Sequence, residues 1–330
     1  MRERPRKRIG HCFAAAGLFL LTLVSEMAQA AKVETVTFQT NIIPKTHEQP
    51  VKLIAKLYLP DKQSGPLSAV IISPSSGGIR EEREVYYAEE LVKAGIAALV
   101  IDSFSSRGLA KSTHDQSLLS PWQSSNDAVA GLRWLIADGR FKADRIGVMG
   151  VSKGGLVAMY SALEIRRRWM RMTDVAFAAH IPIVPECIHV NRTLRTTGAP
   201  MFFMLAELDH STLPGPCVEY AGKLREAGNA RIEVKVYKGA HHAWEKLGPK
   251  PIFDPTQQNR TSCARFFVED DGSFTGADGT RIPAFGMHEW QMKNCIRLGT
   301  YCCGGTYPRN GSSICCASPM ARTPRRSRLS

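Results

Sequence analysis

The chain has 330 residues, of which 44% are hydrophobic and 22% are charged. A chain of this length can bury one substantial core, and two full domains are not required. The formal net charge is +13, but four of the basic residues lie in the last nine positions. Because no nucleic-acid-binding motif accompanies this charge, the composition does not support a nucleic-acid partner.

The first thirty residues have the features of a secretory signal. A basic start that ends at Arg8 is followed by a mostly apolar run of twelve residues, 13–24, and by the small-x-small sequence Ala28-Gln29-Ala30. A membrane-spanning helix needs about 20 apolar residues, so this run is too short for a stable anchor. We therefore expect cleavage near Ala30 and a secreted or periplasmic mature protein.

The mature chain begins with two short alternating runs, 32–39 and 51–59, which predict a pair of antiparallel strands. The next run, 69–73, is continuously apolar apart from its last residue and rich in β-branched side chains. This pattern is typical of a strand that is covered on both faces. It ends in a turn with the sequence Pro-Ser-Ser-Gly-Gly, 74–78.

Strands and helices then alternate as far as residue 237. Helices are predicted at 83–94, 124–138, 153–171 and 218–227, and strands at 96–101, 145–149, 175–183, 201–206 and 231–237. This succession predicts an α/β domain over 31–250, a doubly wound and mostly parallel sheet with helices on both faces. The remainder has little periodicity and is predicted to be a disulfide-stapled extension, 251–305, fastened to the body, and a disordered basic tail, 306–330.

The cysteine content agrees with export. Nine cysteines are present, and loss of Cys12 with the signal leaves eight, an even number. The preferred pairs are Cys187 with Cys217 and Cys263 with Cys295. The other four form two adjacent doublets, 302–303 and 315–316, which suit a four-cysteine metal site poorly. We therefore expect no metal, and free or pairwise-bridged thiols at these positions.

A candidate nucleophile lies between a predicted strand and a predicted helix. Gly150-Val151-Ser152-Lys153-Gly154 matches G-x-S-x-G, the nucleophile elbow, a sharp turn that exposes the serine hydroxyl. Glycine is needed two residues before and two residues after the serine, because side chains there would collide. The flanking strand and helix supply the structural context that the motif requires.

A serine hydroxyl needs an adjacent base, and the base needs a third group that orients it. In proteins with this elbow the order along the chain is Ser, acid, His. Asp209 follows the predicted strand 201–206, and the pair His241-His242 follows the predicted strand 231–237. Both positions suit a site at the carboxyl ends of parallel strands.

The sequence pattern leaves two choices open, that of the acid and that of the histidine. Glu207 is an alternative acid, although it lies closer to the strand end than Asp209, and His210 is interpreted as a surface histidine. The sequence pattern alone does not distinguish His241 from His242.

An oxyanion hole completes the predicted chemistry, because backbone N–H groups must stabilise the charge that develops on the attacked carbonyl. One donor is expected from Lys153, the residue after the nucleophile. The second is expected from Ser75 or Ser76 in the turn after residue 73. The Lys153 side chain is expected to point to solvent.

With these motifs in place, the chain resembles the dienelactone hydrolase family, a branch of the α/β-hydrolases. The matching segments are 75–78, 102–104, 107–108, 127–135, 150–155, 208–209 and 237–244. The last of them fits the family pattern Tyr-x-Gly-Ala-x-His-small-aromatic, and the resemblance therefore implies the triad Ser152, Asp209 and His242.

Two departures from the family pattern affect the expected substrate and oxyanion hole. The namesake enzymes have Cys at the position of Ser152, and their His-Gly before the oxyanion turn is here Pro74-Ser75. The first departure favours a general carboxylester hydrolase over cleavage of dienelactone itself. Exported relatives have an extension similar to 263–295, and this supports the pairing of Cys263 with Cys295.

The sequence thus predicts a serine hydrolase for small-molecule esters or lactones that needs no cofactor. Two other classes are kept as alternatives. A peptidase of related fold needs a propeller or cap domain, and no blade repeat is present. A non-enzymatic binding protein on a hydrolase scaffold is favoured only if the triad does not assemble.

Overall fold

The computed structural model describes residues 32–40, 49–61, 65–242, 244, 252–284 and 286–302, with backbone only for 252, 253 and 300–302. The predicted signal, the basic tail 306–330 and the side chains of both cysteine doublets lie outside the described residues.

The described chain alternates strands and helices. The strands are β1 (Lys32–Gln39), β2 (Lys52–Leu59), β3 (Leu67–Ser73), β4 (Ala97–Asp102), β5 (Phe141–Val151), β6 (His180–Ile183), β7 (His189–Asn191), β8 (Met201–Ala206), β9 (Ile232–Tyr237), β10 (Ile252–Asn259), β11 (Phe266–Val268), β12 (Phe274–Gly276), β13 (Arg281–Ile282) and β14 (Arg297–Cys302). The helices are α1 (Tyr86–Lys93), α2 (Pro121–Asp138), α3 (Lys153–Tyr160), α4 (Glu164–Trp169), α5 (Pro214–Glu226) and α6 (Met287–Asn294).

The central sheet has eight strands in the order β1-β2-β4-β3-β5-β6-β8-β9. β1 pairs antiparallel with β2, and β2 with β4, whereas the pairs from β4 to β9 are parallel. The chain moves outward from β3 to β4 on one side and to β5 on the other, as expected for a doubly wound sheet. The predicted α/β fold class is confirmed.

Helices cover both faces of this sheet. Since successive residues of a strand point to opposite sides, neighbouring residues of one strand pack against different helices. In β3, Ile71 packs in the same buried cluster as Val129 and Leu132 of α2. The next residue, Ile72, belongs to a second cluster that contains Ala88 of α1. The continuously apolar strand 69–73 is therefore buried on both sides.

The structure divides the predicted helix 153–171 into α3 and α4. Leu163 between them is extended, with φ −83° and ψ 120°. The break is stabilised by a neighbouring segment, since Glu164 donates its N–H to the Arg195 carbonyl and Thr197 donates to the Ala162 carbonyl, both at 2.9 Å. A contact between segments thirty residues apart thus overrides local helix propensity.

Other boundaries also differ from the prediction, among them those of β5, which spans 141–151 instead of 145–149, and of α5, which begins at Pro214 instead of residue 218. The strand predicted at 175–183 is shorter and corresponds to β6. Helix α2 begins at Pro121 instead of residue 124, because Ser120 and Gln123 form a capping box and proline occupies the first turn.

The extension has regular structure that its weak periodicity did not predict. β10 pairs with β14, and β13, β12 and β11 form a second sheet with β7 of the body. Disulfide bonds join Cys187 to Cys217 and Cys263 to Cys295. Each bond lies within one of the predicted segments, 31–250 or 251–305, so the expected disulfide attachment of the extension to the body is wrong. Strand pairing between β7 and β11 joins them instead.

We expect that the paired substitution Cys263→Ser with Cys295→Ser lowers the free energy of unfolding by about 3–4 kcal/mol, because a bridge across 32 residues restricts the unfolded chain. Urea unfolding of the oxidised wild type and of the variant measures this difference. Equal unfolding midpoints and slopes for the two proteins would contradict it.

Candidate active site

Ser152 occupies a strained turn between β5 and α3. Its φ is 56° and its ψ is −111°, a backbone conformation that non-glycine residues rarely adopt. Such strain is a property of the nucleophile elbow, where the serine leaves the sheet before the helix begins.

The glycines around Ser152 permit close contact between three backbone segments. A Cβ atom on Gly150 would lie 2.6 Å from the Ser73 carbonyl oxygen at the end of β3, and one on Gly154 would come still closer to the same atom. A Cβ atom on Gly155 would lie 2.6 Å from the Ile183 carbonyl oxygen at the end of β6. Alanine at these positions therefore cannot fit without moving backbone.

Asp209 and His242 are brought together after the neighbouring strands β8 and β9. The Nδ1 atom of His242 lies 2.8 Å from Oδ2 of Asp209, and both residues are buried. The carboxylate also accepts hydrogen bonds from the N–H groups of Ser211 and Thr212, each at 2.8 Å, and from the Thr212 hydroxyl at 2.9 Å. The acid is thus fixed in position by several donors.

These contacts determine the charge of the acid. Burial by itself raises the pKa of Asp209, but the positive charge and hydrogen bond of His242, with the N–H groups of Thr212 and Ser211, outweigh it. The pKa of Asp209 is therefore lower than that of an ordinary aspartate, and the side chain is ionised at neutral pH.

The alternative residues have other partners. The ring of His241 lies beside that of His210, with 6.4 Å between ring centroids. Glu207 is exposed, and its carboxylate accepts the Gly239 N–H at 2.7 Å. Of the two adjacent histidines, the structure thus places His242 against Asp209.

Thr212 was not identified from the sequence. Its hydroxyl contacts both members of the pair, at 2.9 Å from Oδ2 of Asp209 and 3.3 Å from Nδ1 of His242. The available signal was the sequence Asp-x-Ser-Thr, in which an aspartate accepts hydrogen bonds from the residues two and three positions later, as in an Asx-turn.

The turn after β3 is held by a buried ion pair. Glu84 accepts the N–H of Ser75 at 3.2 Å and that of Arg80 at 3.0 Å, and its carboxylate lies 2.8 Å from Nε of Arg83. Because the Ser75 N–H already has this acceptor, Ser76 is the better of the two candidate oxyanion donors. Lys153 is the first residue of α3, where a backbone N–H has no acceptor within the helix.

The Lys153 side chain does not point to solvent, and that expectation is wrong. The residue is 4% exposed. Its Nζ donates to the Ser112 hydroxyl at 2.7 Å and to the Leu119 carbonyl. Burial, together with the positive charge of Arg260, lowers the pKa of the Lys153 amine to about 7. The loop before α2 covers this side chain, and no local sequence pattern indicates that.

Most of the candidate residues line one cavity of about 610 Å³. Its lining includes five of the predicted residues, namely Ser75, Ser76, Ser152, Lys153 and His242. Apolar walls come from Trp122, Leu156, Tyr160, Phe274 and Met287. Within the described ranges, no group of three or more His, Cys, Asp or Glu side chains is arranged to hold a metal ion.

The family model of the dienelactone hydrolase family matches residues 53–264, more than half of the chain. The chain belongs to the dienelactone hydrolase family. Membership of this family, together with the sheet described above, identifies an α/β-hydrolase that acts on ester bonds. A search of curated proteins found no match.

Solved structures with a similar fold include three from bacteria. A protein provisionally assigned as a dienelactone hydrolase from Klebsiella pneumoniae shares 20% identity over 64% of this chain and 88% of its own, with a TM-score of 0.48. A thermophilic esterase from Thermogutta terrifontis shares 17% identity over 67% of this chain and 85% of its own, with a TM-score of 0.49. A protein provisionally assigned as a dipeptidyl aminopeptidase IV from Bacteroides ovatus shares 15% identity over 66% of this chain and 34% of its own, with a TM-score of 0.49.

The buried amine of Lys153 predicts a pH-dependent stability. The folded protein releases this proton near pH 7, whereas an unfolded lysine releases it near pH 10.4. Between these values the unfolded chain binds more protons, so the contribution of Lys153 to the free energy of unfolding rises with pH. Relative to Lys153→Met, the wild type should gain on the order of a few kcal/mol between pH 7 and pH 10.

Urea unfolding at pH 7.0, 8.5 and 10.0 measures this gain. Lys52→Met, which removes an exposed lysine of β2, is the control. A constant difference between the wild type and Lys153→Met over this range would refute the prediction.

Proposed function

We propose that the chain is a serine hydrolase that cleaves carboxylic esters or lactones, with Ser152 as nucleophile, His242 as base and Asp209 as the orienting acid. The observation that supports this most strongly is that a strained serine and the histidine of a buried, hydrogen-bonded His–Asp pair line one cavity.

The proposed mechanism is two-step acyl transfer. Since Nδ1 of His242 faces Asp209, the other ring nitrogen, Nε2, is the one that accepts the proton of the Ser152 hydroxyl as its oxygen attacks the ester carbonyl. The same nitrogen then delivers this proton to the leaving alcohol. Water, deprotonated by His242, hydrolyses the acyl-enzyme and regenerates the serine. Asp209 fixes the tautomer and stabilises the imidazolium.

The backbone N–H groups of Lys153 and Ser76 are the proposed oxyanion donors. Both residues line the cavity that contains Ser152. Donors of this kind act on the charge that develops in the transition state, and they need no reorganisation when the reaction occurs.

The proposed substrate is a small-molecule ester or lactone. A cavity of about 610 Å³ is within the size range of sites that bind small molecules. The two disulfide bonds suit an oxidising compartment, and we propose that the mature protein acts outside the cytoplasm after cleavage near Ala30. Among the described residues, the helices are too short or too polar to span a bilayer.

Substitution of the triad tests this function. Ser152→Ala should abolish labelling by a fluorophosphonate probe and lower kcat for p-nitrophenyl acetate by about 10⁶-fold, because no other hydroxyl replaces the nucleophile. Asp209→Asn should lower kcat by about 10⁴-fold through the wrong histidine tautomer. His242→Gln should be nearly inactive, whereas the matched control His241→Gln should keep wild-type activity.

Peptide amides assayed beside esters and lactones separate the remaining classes. An esterase hydrolyses the esters and is inactive on the amides, whereas a peptidase hydrolyses both. A wild-type protein that is not labelled and cleaves none of these substrates is a binding protein, and this outcome would overturn the proposed function.

A further inference from the structure

The segment 109–119, between β4 and α2, contacts the turn that holds the proposed oxyanion donor Ser76. We refer to this segment as the bridging loop. The Ser112 N–H donates to the Ser76 carbonyl at 2.8 Å, and the Ser76 hydroxyl donates to Oε1 of Gln116 at 2.9 Å. The two segments also approach closely at Gly78, where a Cβ atom would lie 2.5 Å from the Ala110 carbonyl oxygen.

The same loop also contacts the second proposed donor. The amine of Lys153 donates to the Ser112 hydroxyl and to the Leu119 carbonyl. Ser76 and Lys153, the two proposed oxyanion donors, therefore both form hydrogen bonds with the bridging loop. A displacement of this loop would move the Ser76 N–H relative to Ser152, whereas the Lys153 N–H is held beside Ser152 by the chain and by α3.

The other side of the bridging loop is held by the extension. The Gln116 N–H donates to Oε1 of Gln258 at 3.2 Å, and the Gln258 N–H donates to the Thr113 carbonyl at 3.1 Å. Nε2 of His288 in α6 lies 3.4 Å from a carboxylate oxygen of Asp115. The extension thus contacts the loop from both β10 and α6.

The contacting part of the extension is itself fixed. Arg260 donates to Oε1 of Gln291 at 3.2 Å, and its terminal nitrogen lies 3.3 Å from Nδ1 of His288. The disulfide bond between Cys263 and Cys295 joins the two ends of this region. Gln258 is 5% exposed, so its contacts with the loop are shielded from competing water.

We propose that Gln116 and Gln258 are positioning residues of the oxyanion hole, and that the carboxyl-terminal extension is through them a part of the catalytic machinery. This inference rests on the proposed function and assigns a role to the extension. N–H donors are effective only when they are preorganised, and a loop held on one side alone has more freedom than a loop held on two. Gln258 restrains the loop, and Gln116 transmits the restraint to Ser76. Both residues also line the cavity, so a ligand that forms no oxyanion is needed as the control for their contacts within the pocket.

Steady-state kinetics of Gln116→Ala and Gln258→Ala with p-nitrophenyl acetate test this role. We expect kcat to fall on the order of tenfold with KM unchanged, less than the 10²–10³-fold that follows loss of a direct donor. Gln116→Glu keeps an oxygen acceptor for the Ser76 hydroxyl and should restore most of kcat. Thr256→Ala, at an exposed position of the same strand β10, is the matched control and should have wild-type kcat.

Inhibition by an aryl trifluoromethyl ketone distinguishes positioning of the oxyanion hole from a general structural effect. The Ser152 oxygen adds to the ketone carbon, its proton passes to His242, and the oxygen of the hemiketal occupies the oxyanion hole. The inhibition constant should therefore rise in Gln116→Ala and Gln258→Ala by the same factor by which kcat/KM falls. The Kd of a non-hydrolysable ether analogue, which forms no oxyanion, should stay unchanged.

The outcomes separate this inference from the proposed function. If the wild type is labelled at Ser152 and hydrolyses esters, but both variants keep wild-type kcat and inhibition constants, the function stands and the positioning role is wrong. A rise in KM alone would also overturn it, because it indicates a change of pocket shape. A wild type that is neither labelled nor active would overturn both, and if Gln258→Ala does not fold, Gln116→Ala and Gln116→Glu decide the question.

Discussion

The arrangement of the site depends on the close approach of backbone at Ser152. The end of β3, the turn after β5 and the first turn of α3 meet so closely that a Cβ atom on Gly150 or Gly154 would collide with the Ser73 carbonyl. This packing fixes two features at once: Ser152 is forced out of the sheet with a positive φ, and the turn that carries Ser75 and Ser76 begins beside it. The proposed nucleophile and the proposed oxyanion donors are therefore positioned by a single contact.

Two buried carboxylates near this contact are each paired with a basic side chain. Glu84 holds the oxyanion turn through the N–H groups of Ser75 and Arg80, and Arg83 compensates its charge. Asp209 is held ionised by backbone donors and by His242. Since isolated buried charges are costly, the donors that keep Asp209 ionised also fix the position of its carboxylate. For Asp209, positioning and ionisation thus have the same physical origin.

Features with a local signal could be predicted from the sequence. The continuous apolar run 69–73 indicated a strand buried on both faces, and the glycines around Ser152 indicated the elbow, because both effects act within a few residues. The burial of Lys153 and the break at Leu163 could not be predicted in this way. Each results from a contact with a segment about thirty to forty residues away, the bridging loop in one case and 195–197 in the other.

The extension lacked a secondary-structure signal in the sequence for a different reason. Its strands β11, β12 and β13 have only three, three and two residues, too few to establish a hydrophobic period. It also lies largely outside the family match, which ends at residue 264, although Phe274, Met287 and His288 line the cavity. The elbow and the His–Asp pair lie within the matched segment, whereas one wall of the cavity does not. Because the wall of a pocket contributes to which substrates fit, the shape of this cavity is set by the extension as well as by the family-matched segment.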